Sequence, residues 1–514
     1  MREHLSKIVI VALLVIVVGL PFALRPAIPA DEVADADAET LIVFTPHNEQ
    51  IRHEFARAFN AWRTGQDKAP VRFDWRAGGG TSDLRRIVIS QLEAKAEEGR
   101  EDEGVGGDLF FGGGEYEHDK LAQGVTVTRK GKQVHIPAIV PIELPDGMLK
   151  DVFPQPTIGG ERLYHPDHYW YAAVVSSFGI IYNRDVLDML NLPAPRTWSD
   201  LQSAAYFGWI ALSDPAHSGS IGATYNTILR RHGWTEGWRL LRRTFANASY
   251  FTSSASQIPV DISAGEGAAG MCIDFYGRFQ AGAVGEDRVG YVDPQHMTAT
   301  TADPIAVLRG APNHELAREF LIWTLSKPAQ RLWQRKIDAP DGPHQYELRR
   351  QPVRRDLYDD AQETQHWTDP NVDPFAAAKP IPEAMPDYYL MVAPVSHAMA
   401  IDVHDDLVAA WRTIQRTPRD DPRRAEMLRL FDAMPQELRV TWPDAHLAES
   451  WPQAIASSSH ARHEEAASVL AEFNAHLARE FYGNPSNLLD HRLKWTRFFR
   501  SNYRKIVALG KQSR

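Results

Sequence analysis

The sequence predicts an α/β protein with two lobes and a helical C-terminal extension. Short apolar runs typical of buried strands alternate with stretches that carry large side chains at helical spacing, as in residues 41–44 followed by residues 51–62. Such alternation is typical of parallel βαβ units with right-handed crossovers. The length of 514 residues exceeds one typical domain, which favours two lobes and a further segment. From about residue 350 onward, helical stretches are separated by proline- and acid-rich links.

The overall composition is that of a globular protein, with 44% hydrophobic and 24% charged residues. The formal net charge of −10 argues against nucleic acid as a partner, because binding to phosphates is driven mainly by basic residues. It does not exclude a local anion-binding pocket, since net charge does not describe a single cleft. Cys272 is the single cysteine, so an internal disulfide is impossible.

The N-terminal segment, residues 1–30, predicts an export signal or a membrane anchor. Arg2 and Lys7 precede an apolar run from Ile8 to Leu24, which is the layout of a secretory signal. Ala-x-Ala cleavage motifs follow at residues 34–36 and 36–38. The run is also near the lower length limit for spanning a bilayer, so an uncleaved anchor is the alternative. Either way we expect the body of the protein in the periplasm or on the extracytoplasmic face.

Seven segments along residues 40–340 occur in a characteristic order. They are LIVFTPHNEQ, GDLFF, SSFGIIYNRDVL, PRTWSDL, ALSDPAHSGS, ISAGEGAAGMCIDFYG and ADPIAVLRGAPNHELAREFLIWTLSKPAQRLW. In this order they resemble the type-2 periplasmic solute-binding proteins of ABC importers, in particular the branch of ferric-ion-binding proteins. The resemblance implies a first lobe from residues 40–178 and 299–350 and a second lobe from residues 179–298. Residues 351–514 form an extension that this resemblance does not explain.

The same resemblance implies that the chain crosses between the lobes near Phe178–Asn183 and again near Val289–Pro304. Two loops would then face one cleft from opposite lobes: residues 78–82, Gly-Gly-Gly-Thr-Ser, and residues 217–220, His-Ser-Gly-Ser. Each delivers small hydroxyl-bearing residues to the start of a helix, where free N–H groups and the helix dipole favour an anion. Ordinary helix capping is the alternative interpretation of both loops.

Four further side chains each follow the end of a predicted strand, where open α/β sheets gather ligands: His47, Glu115, Asp274 and Tyr276. Imidazole, carboxylate and phenolate together suit a hard ion such as Fe³⁺. The resembling ferric proteins have two adjacent tyrosines where this chain has Phe275 and Tyr276, and their acidic ligand falls near Gly113. The metal prediction is therefore His47, Glu115 and Tyr276 with Fe³⁺ as the ligand, completed by a synergistic anion. The alternative is that Asp274 and Tyr276 hydrogen-bond an organic or anionic ligand.

The predicted ligand-binding set combines these loops and strand ends. It comprises His47, Asn48, Gly80, Thr81, Ser82, Gly113, Gly114, Glu115, Ser177, Ser218, Gly219, Ser220, Asp274 and Tyr276. No cofactor is predicted beyond Fe³⁺ as a ligand.

The function that the resemblance implies is solute binding for an ABC transporter, with the membrane permease as partner and the chain itself a monomer. We do not expect an enzyme, because the sequence has no nucleophile elbow, zinc-protease motif or P-loop. Cys272 lies in an apolar strand, which is a poor place for a reactive thiolate. Two alternatives remain: a ligand-sensing protein that acts through a membrane receptor, and a hydrolase that uses two carboxylates.

Overall fold

The computed structural model describes residues 38–381, 385–441, 443, 460–482 and 485–511. The predicted signal or anchor at residues 1–30 and its cleavage motifs lie outside these residues. Within the described ranges, none of the helices combines the length and the apolar character that crossing a bilayer requires.

Strands and helices alternate along residues 40–176. The strands are β1 Thr40–Phe44, β2 Arg72–Arg76, β3 Leu109–Phe111, β4 Val125–Arg129, β5 Lys132–Ile136, β6 Ile139–Val140, β7 Thr157–Ile158, β8 Glu161–Arg162 and β9 Tyr171–Ser176. The helices are α1 Glu49–Thr64, α2 Thr81–Glu97, α3 Glu115–Gln123 and α4 Met148–Val152. In α1 the buried residues Ile51, Phe55 and Phe59 recur every four positions, so one face packs on the sheet.

The alternation continues through residues 178–292. The strands are β10 Phe178–Asn183, β11 Ile210–Ser213, β12 Ala248–Thr252, β13 Ala269–Ile273 and β14 Val289–Val292. The helices are α5 Arg184–Met189, α6 Gly219–His232, α7 Trp234–Asn247, α8 Gln257–Ala264 and α9 Asp274–Val284. Strands β10, β11 and β13 are almost wholly buried, as their uninterrupted apolar runs predict.

Among the residues that the structure describes after strand β15 Thr301–Leu308, the regular elements are helices. They are α10 His314–Thr324, α11 Lys327–Arg331, α12 Arg355–Tyr358, α13 Ala361–Thr364, α14 Pro374–Ala377, α15 Tyr389–Met399, α16 His404–Arg416, α17 Pro422–Asp432, α18 His460–Leu477 and α19 Pro485–Lys511. The predicted helical character of the C-terminal region is therefore confirmed.

Two large sheets define the two lobes, and the pairs β4-β5 and β7-β8 form two small sheets of their own. The sheet of lobe 1 runs β2-β1-β3-β15-β6, with β9 also paired to β15. Its strands β1, β2 and β3 are parallel, whereas β15 runs antiparallel to β3, β6 and β9. The sheet of lobe 2 runs β12-β11-β13-β10-β14. The chain thus leaves lobe 1 after β9 and returns to it with β15.

The two crossings between the lobes lie side by side. Ser177 alone separates β9 from β10, and residues 293–300 connect β14 to β15. The Ser177 hydroxyl donates to Asp293 Oδ1 at 2.7 Å. The Phe178 N–H donates to Thr298 Oγ1 at 3.1 Å, and that hydroxyl donates to the Phe178 carbonyl at 2.8 Å. These bonds join the two crossings into one hinge.

The C-terminal region does not form a separate unit, since it adds to both lobes. Leu348 and Val353 belong to the core of lobe 1, and Ala378 packs against it. The helices from α15 onward bury residues such as Met391 and Trp411 in the core of lobe 2. The chain therefore crosses between the lobes a third time, between residues 378 and 388.

Candidate functional site: the interlobe cleft

A cavity of about 560 Å³ lies between the lobes and is lined by residues of both. Its volume is in the range of small-molecule binding sites. The residues that line it cluster at the starts of helices α2, α6, α8 and α9 and in the loops that precede α1 and α3.

On the lobe 1 side, the loop before α2 places Gly80 and Thr81 against the cavity. Gly80 is the N-cap of α2. A Cβ atom at Gly80 would lie 2.1 Å from the carbonyl oxygen of His217, which belongs to lobe 2. The two lobes therefore touch at this point, and the glycine is what permits the approach.

The loop before α3 forms the next part of the lobe 1 wall, through Gly113 and Gly114. Gly113 has a φ of +105°, and a Cβ there would lie 2.2 Å from the Thr81 methyl group. Both the backbone conformation and the packing thus require glycine at this position.

On the lobe 2 side, Ser218 is the N-cap of α6 and accepts from the Ile221 N–H at 3.3 Å. Its hydroxyl oxygen lies 3.1 Å from that of Ser220. Residues 253–256, Ser-Ser-Ala-Ser, line the cavity just before α8, and the hydroxyls of Ser254 and Ser256 are 2.9 Å apart. This second pair of serines matches the first in chemistry.

Helix starts therefore meet at the cavity from both lobes. The first N–H groups of a helix have no intrahelical acceptor, and the helix dipole adds a partial positive charge there. Among the described residues that line the cavity there is no lysine or arginine. The donors that the wall offers to an anion are thus backbone N–H groups, hydroxyls and the imidazole of His217, whereas the Asp83 carboxylate in the same wall accepts from the Gly80 N–H at 3.4 Å.

The floor of the cavity carries His47, Ser176 and Asp303, which the buried side chain of Arg350 joins together. Arg350 forms an ion pair with Asp303 Oδ2, and it donates to the Ser176 hydroxyl at 2.7 Å and to His47 Nε2 at 3.0 Å. Burial lowers the pKa of His47, so the imidazole is neutral and accepts from Arg350. Burial alone would raise the pKa of Asp303, but the positive charge of Arg350 holds it well below its usual range.

Aromatic rings close the cavity beside this floor. Phe178, Phe275 and Tyr276 line it. The guanidinium carbon of Arg350 lies 4.0 Å from the centre of the Phe275 ring. Burial raises the pKa of Tyr276 to about 12, so its hydroxyl is a neutral phenol at physiological pH.

Most of the predicted ligand-binding residues line this cavity. They are His47, Gly80, Thr81, Gly113, Gly114, Ser218, Gly219, Ser220 and Tyr276. The structure places the other predicted residues outside the lining: Asn48, Ser82, Glu115, Ser177 and Asp274.

Each of these outlying side chains has a structural partner elsewhere. Asn48 caps α1 by accepting from the Ile51 N–H at 3.2 Å. The Ser82 hydroxyl donates to Glu117 at 2.7 Å, on the far side of the α2 start. Ser177 belongs to the hinge described above.

The two carboxylates in this group differ in how they are held. Glu115 accepts from Arg162 Nε at 2.7 Å. Asp274 is 1% exposed, and its Oδ1 accepts from the N–H of Phe275 at 2.8 Å.

The residues predicted to hold Fe³⁺ are therefore not assembled. His47 and Tyr276 line the cavity, but Glu115 is paired with Arg162 outside it. The described part of the chain contains no cluster of three or more histidine, cysteine, aspartate or glutamate residues that could hold a metal ion. Phe275 also stands at one of the two positions where the resembling ferric proteins have adjacent tyrosines, and its ring offers no metal ligand.

The sequence prediction missed several residues of the site. The run of small hydroxyl residues before α8 was a detectable signal, because it resembles the loop before α6 in composition and in its place after a strand. Asp303 and Arg350 carried no such signal, since their contact joins a strand to a loop 47 residues later.

Comparison with known proteins finds similarity over part of the chain. Residues 150–359 match the family model described as a bacterial extracellular solute-binding protein. The phosphoglycerate transport regulatory protein PgtC of Salmonella typhimurium is 29% identical over 161 residues, which are 31% of this chain and 40% of that protein. An uncharacterized protein of Haemophilus influenzae is 26% identical over 175 residues, which are 34% of this chain and 49% of that protein. This chain thus spans less than half the length of the curated relatives it matches.

Among solved structures, the periplasmic binding protein AfuA from Actinobacillus pleuropneumoniae has fructose-6-phosphate bound. It is similar with a TM-score of 0.51 and 16% identity, over 73% of this chain and 98% of AfuA. Iron-bound HitA from Pseudomonas aeruginosa reaches a TM-score of 0.45 at 18% identity, over 66% of this chain and 92% of HitA, which is too low to bear on the ligand. The predicted resemblance to type-2 periplasmic solute-binding proteins and the two-lobed α/β fold are both confirmed.

Proposed function

We propose that the chain is the solute-binding subunit of an ABC importer and that it captures a small organic anion through a phosphate group. The observation behind this proposal is that helices α2, α6 and α8 all begin at one cavity between the lobes. The hydroxyls of Thr81 and of the two serine pairs, Ser218 with Ser220 and Ser254 with Ser256, line the same cavity.

The chemistry of the walls favours a phosphate ester over other anions. A phosphate group has several acceptor oxygens, and it can accept from backbone N–H groups and hydroxyls of several helix starts at once. The cavity of about 560 Å³ is much larger than one tetrahedral anion, which leaves room for an organic part. The name of PgtC refers to phosphoglycerate, and AfuA has fructose-6-phosphate bound, so both relatives are consistent with this ligand class.

The contact between the lobes supports a capture mechanism. Gly80 of lobe 1 lies against the His217 carbonyl of lobe 2, so closure brings the α2 and α6 starts to the same ligand. The crossings joined by Ser177 and Asp293 give the lobes a hinge.

The remaining parts of the proposal concern location and partners. We expect residues 1–30 to export the protein or to anchor it on the extracytoplasmic face. The closed monomer would then deliver its ligand to a membrane permease. Iron is not part of this proposal, because the site geometry does not join Glu115 to His47 and Tyr276.

Isothermal titration of the purified chain against a panel of phosphate esters tests the proposal. The double variant Ser218→Ala with Ser220→Ala and the variant Thr81→Ala should each lose about 1–3 kcal/mol of binding free energy per donor to a charged group. Thr64→Ala and Ser263→Ala remove hydroxyls that bond to helix carbonyls outside the cavity, so they serve as controls. Binding that is unchanged in both cavity variants would remove the helix-start model.

A sensing role is a second candidate, because the name of PgtC describes a regulatory protein. A sensor would bind the same ligand, but its closed, ligand-bound form would then bind a membrane receptor. Uptake of a labelled ligand by cells with and without the protein separates the roles, since an importer subunit is required for uptake and a sensor only for the response. Recovery of the ligand unchanged after long incubation distinguishes both roles from a carboxylate-based hydrolase.

A further inference from the structure

The cleft floor contains a buried carboxylate oxygen for which the described residues supply no donor. Asp303 is 5% exposed and lines the cavity. Its Oδ2 accepts from Arg350 and lies 3.3 Å from His47 Nε2. Its Oδ1 has no hydrogen-bond partner within the described part of the chain.

This carboxylate is ionised at neutral pH. Burial alone would raise the pKa of Asp303, but the charge of Arg350 lowers it well below its usual range. An ionised carboxylate can only accept hydrogen bonds. A buried acceptor without a donor is costly, so a ligand that supplies a donor at this point gains more than one that does not.

We infer that Asp303 restricts the ligand to hydroxyl-bearing phosphate esters, that is, phosphorylated polyols or sugars, and disfavours phosphorylated carboxylates. The inference rests on the proposed function, since the phosphate is assigned to the helix starts. A ligand hydroxyl can donate to Asp303 Oδ1. A ligand carboxylate would instead bring a second negative charge to an acceptor, which is a repulsive element that selects against it.

The neighbours of Asp303 fit a hydroxylated carbon chain. The phenol of Tyr276 and the hydroxyls of Thr301 and Ser176 also line the cavity and can exchange hydrogen bonds with hydroxyls. The rings of Phe178 and Phe275 provide apolar surface for the C–H groups.

Arg350 is not available to bind a ligand carboxylate, so it does not offset the selection against phosphorylated carboxylates. It is fully buried outside the cavity lining, and its terminal nitrogens already bond to His47, Ser176 and Asp303. The specificity inferred here therefore differs from the phosphoglycerate in the name of the Salmonella relative.

The test compares two ligands that differ at one group. Glycerol 3-phosphate and 3-phosphoglycerate share a phosphate and a hydroxyl, but a CH₂OH group in the first is a carboxylate in the second. We expect glycerol 3-phosphate or fructose 6-phosphate to bind the wild-type protein at least about tenfold more tightly than 3-phosphoglycerate in isothermal titration at pH 7.5. This comparison needs no variant, so it does not depend on whether a substitution folds.

The variant Asp303→Asn removes the charge at constant shape. We expect it to reduce the preference for the polyol phosphate severalfold, by weakening glycerol 3-phosphate and strengthening 3-phosphoglycerate. Asp261→Asn is the matched control, because Asp261 is a buried carboxylate that pairs with Tyr250 and Gln257 outside the cavity.

Each outcome has one meaning. Equal or tighter binding of 3-phosphoglycerate by the wild-type protein overturns this inference and leaves the proposed phosphate site intact. An unchanged preference in a folded Asp303→Asn variant overturns the role of Asp303. If neither these three compounds nor any other phosphate ester of the panel binds, the proposed function itself is wrong.

Discussion

The role and the pKa of the Asp274 carboxylate depend on three-dimensional contacts that the sequence does not reveal. It follows β13, as a ligand-binding residue of this fold would, and its backbone N–H donates to the Ser177 carbonyl at 3.0 Å in the hinge. Its Oδ2 has no partner among the described residues. Burial, and then the nearby charge of Asp293, raise its pKa to about 7.

Replacing Asp274 by asparagine should stabilise the protein at alkaline pH. The folded-state pKa lies above the unfolded value, so the wild-type protein loses stability as the pH rises from about 4 through 7 while this buried group ionises. The variant avoids this loss, and we expect it to gain on the order of 1–3 kcal/mol at pH 8 and clearly less at pH 4.5. Urea unfolding at both pH values measures the difference, with the exposed Asp287→Asn as control. A gain that does not grow with pH would contradict the assignment.

Gly80 permits a second prediction at this scale. Its φ of −81° is accessible to any residue, so Gly80→Ala should leave the unfolding midpoint of the ligand-free protein nearly unchanged. A methyl group 2.1 Å from the His217 carbonyl oxygen prevents full closure, however, and we expect ligand affinity to fall by at least about tenfold. Gly78→Ala is the matched control, because its Cβ would meet nothing within 4 Å. Equal affinities for the two variants would show that the lobes close elsewhere.

At the scale of elements, apolar runs and capping residues were sufficient to locate most of the fold. The buried strand predicted at residues 41–44 is part of β1, Thr40–Phe44, and the helix start predicted at residues 217–220 has Ser218 as the N-cap of α6. Long apolar runs have no alternative to burial, and a serine before a helix has few other partners. These local rules do not depend on the rest of the chain.

Side-chain direction within the same elements could not be predicted. Thr81 and Ser82 are adjacent at the start of α2, yet the first lines the cavity and the second donates to Glu117. Glu115 follows its strand as predicted but pairs with Arg162, which lies 47 positions away. The direction of such a polar side chain depends on partners that are distant in sequence, and a local sequence pattern does not reveal these partners.

The loop before α6 is positioned by the C-terminal helices, which leads to a further prediction. His397 of α15 bonds to Asp214 at 3.1 Å and to Asp402 at 2.9 Å. Burial alone would lower the pKa of His397, and Arg492, whose Nη2 lies 3.1 Å from His397 Nδ1, also lowers it, but the two carboxylates raise it on balance and so favour the protonated ring.

Replacing His397 by glutamine should therefore destabilise the protein in a pH-dependent way. Because the folded-state pKa is raised, the stabilisation is fully present below pH 6.5 and is lost as the pH rises through the folded-state pKa. We expect a loss of about 1–2 kcal/mol at pH 6 and a smaller loss at pH 9. Differential scanning calorimetry at both pH values measures it, and the exposed His314→Gln is the control. A loss of the same size at both pH values would mean that the charge of His397 plays no part.

At the scale of the whole molecule, the third crossing means that closure of the two lobes also involves the C-terminal region. The C-terminal region enters the core of lobe 2 but also meets lobe 1 behind the cleft. Tyr389 at the start of α15 lies with its ring 4.3 Å from that of Tyr116 in α3. Its hydroxyl is 3.4 Å from both Glu117 Oε1 of lobe 1 and the Gly219 carbonyl of lobe 2. This contact joins the lobes directly at the starts of α3 and α6.

Tyr389 should therefore stabilise the closed form. We expect ligand to reduce the radius of gyration of the wild-type protein in small-angle scattering, because hinge residues at element ends allow the lobes to close. Tyr389→Ala removes the ring and the hydroxyl from the junction, so the ligand-free variant should be more open and its affinity for ligand roughly fivefold lower. Tyr389→Phe retains the ring contact with Tyr116 and should lie between the two. A radius of gyration that does not change at saturating ligand would argue against closure as the capture mechanism. Wild-type affinity in Tyr389→Ala would show that the extension only covers lobe 2 and does not regulate the cleft.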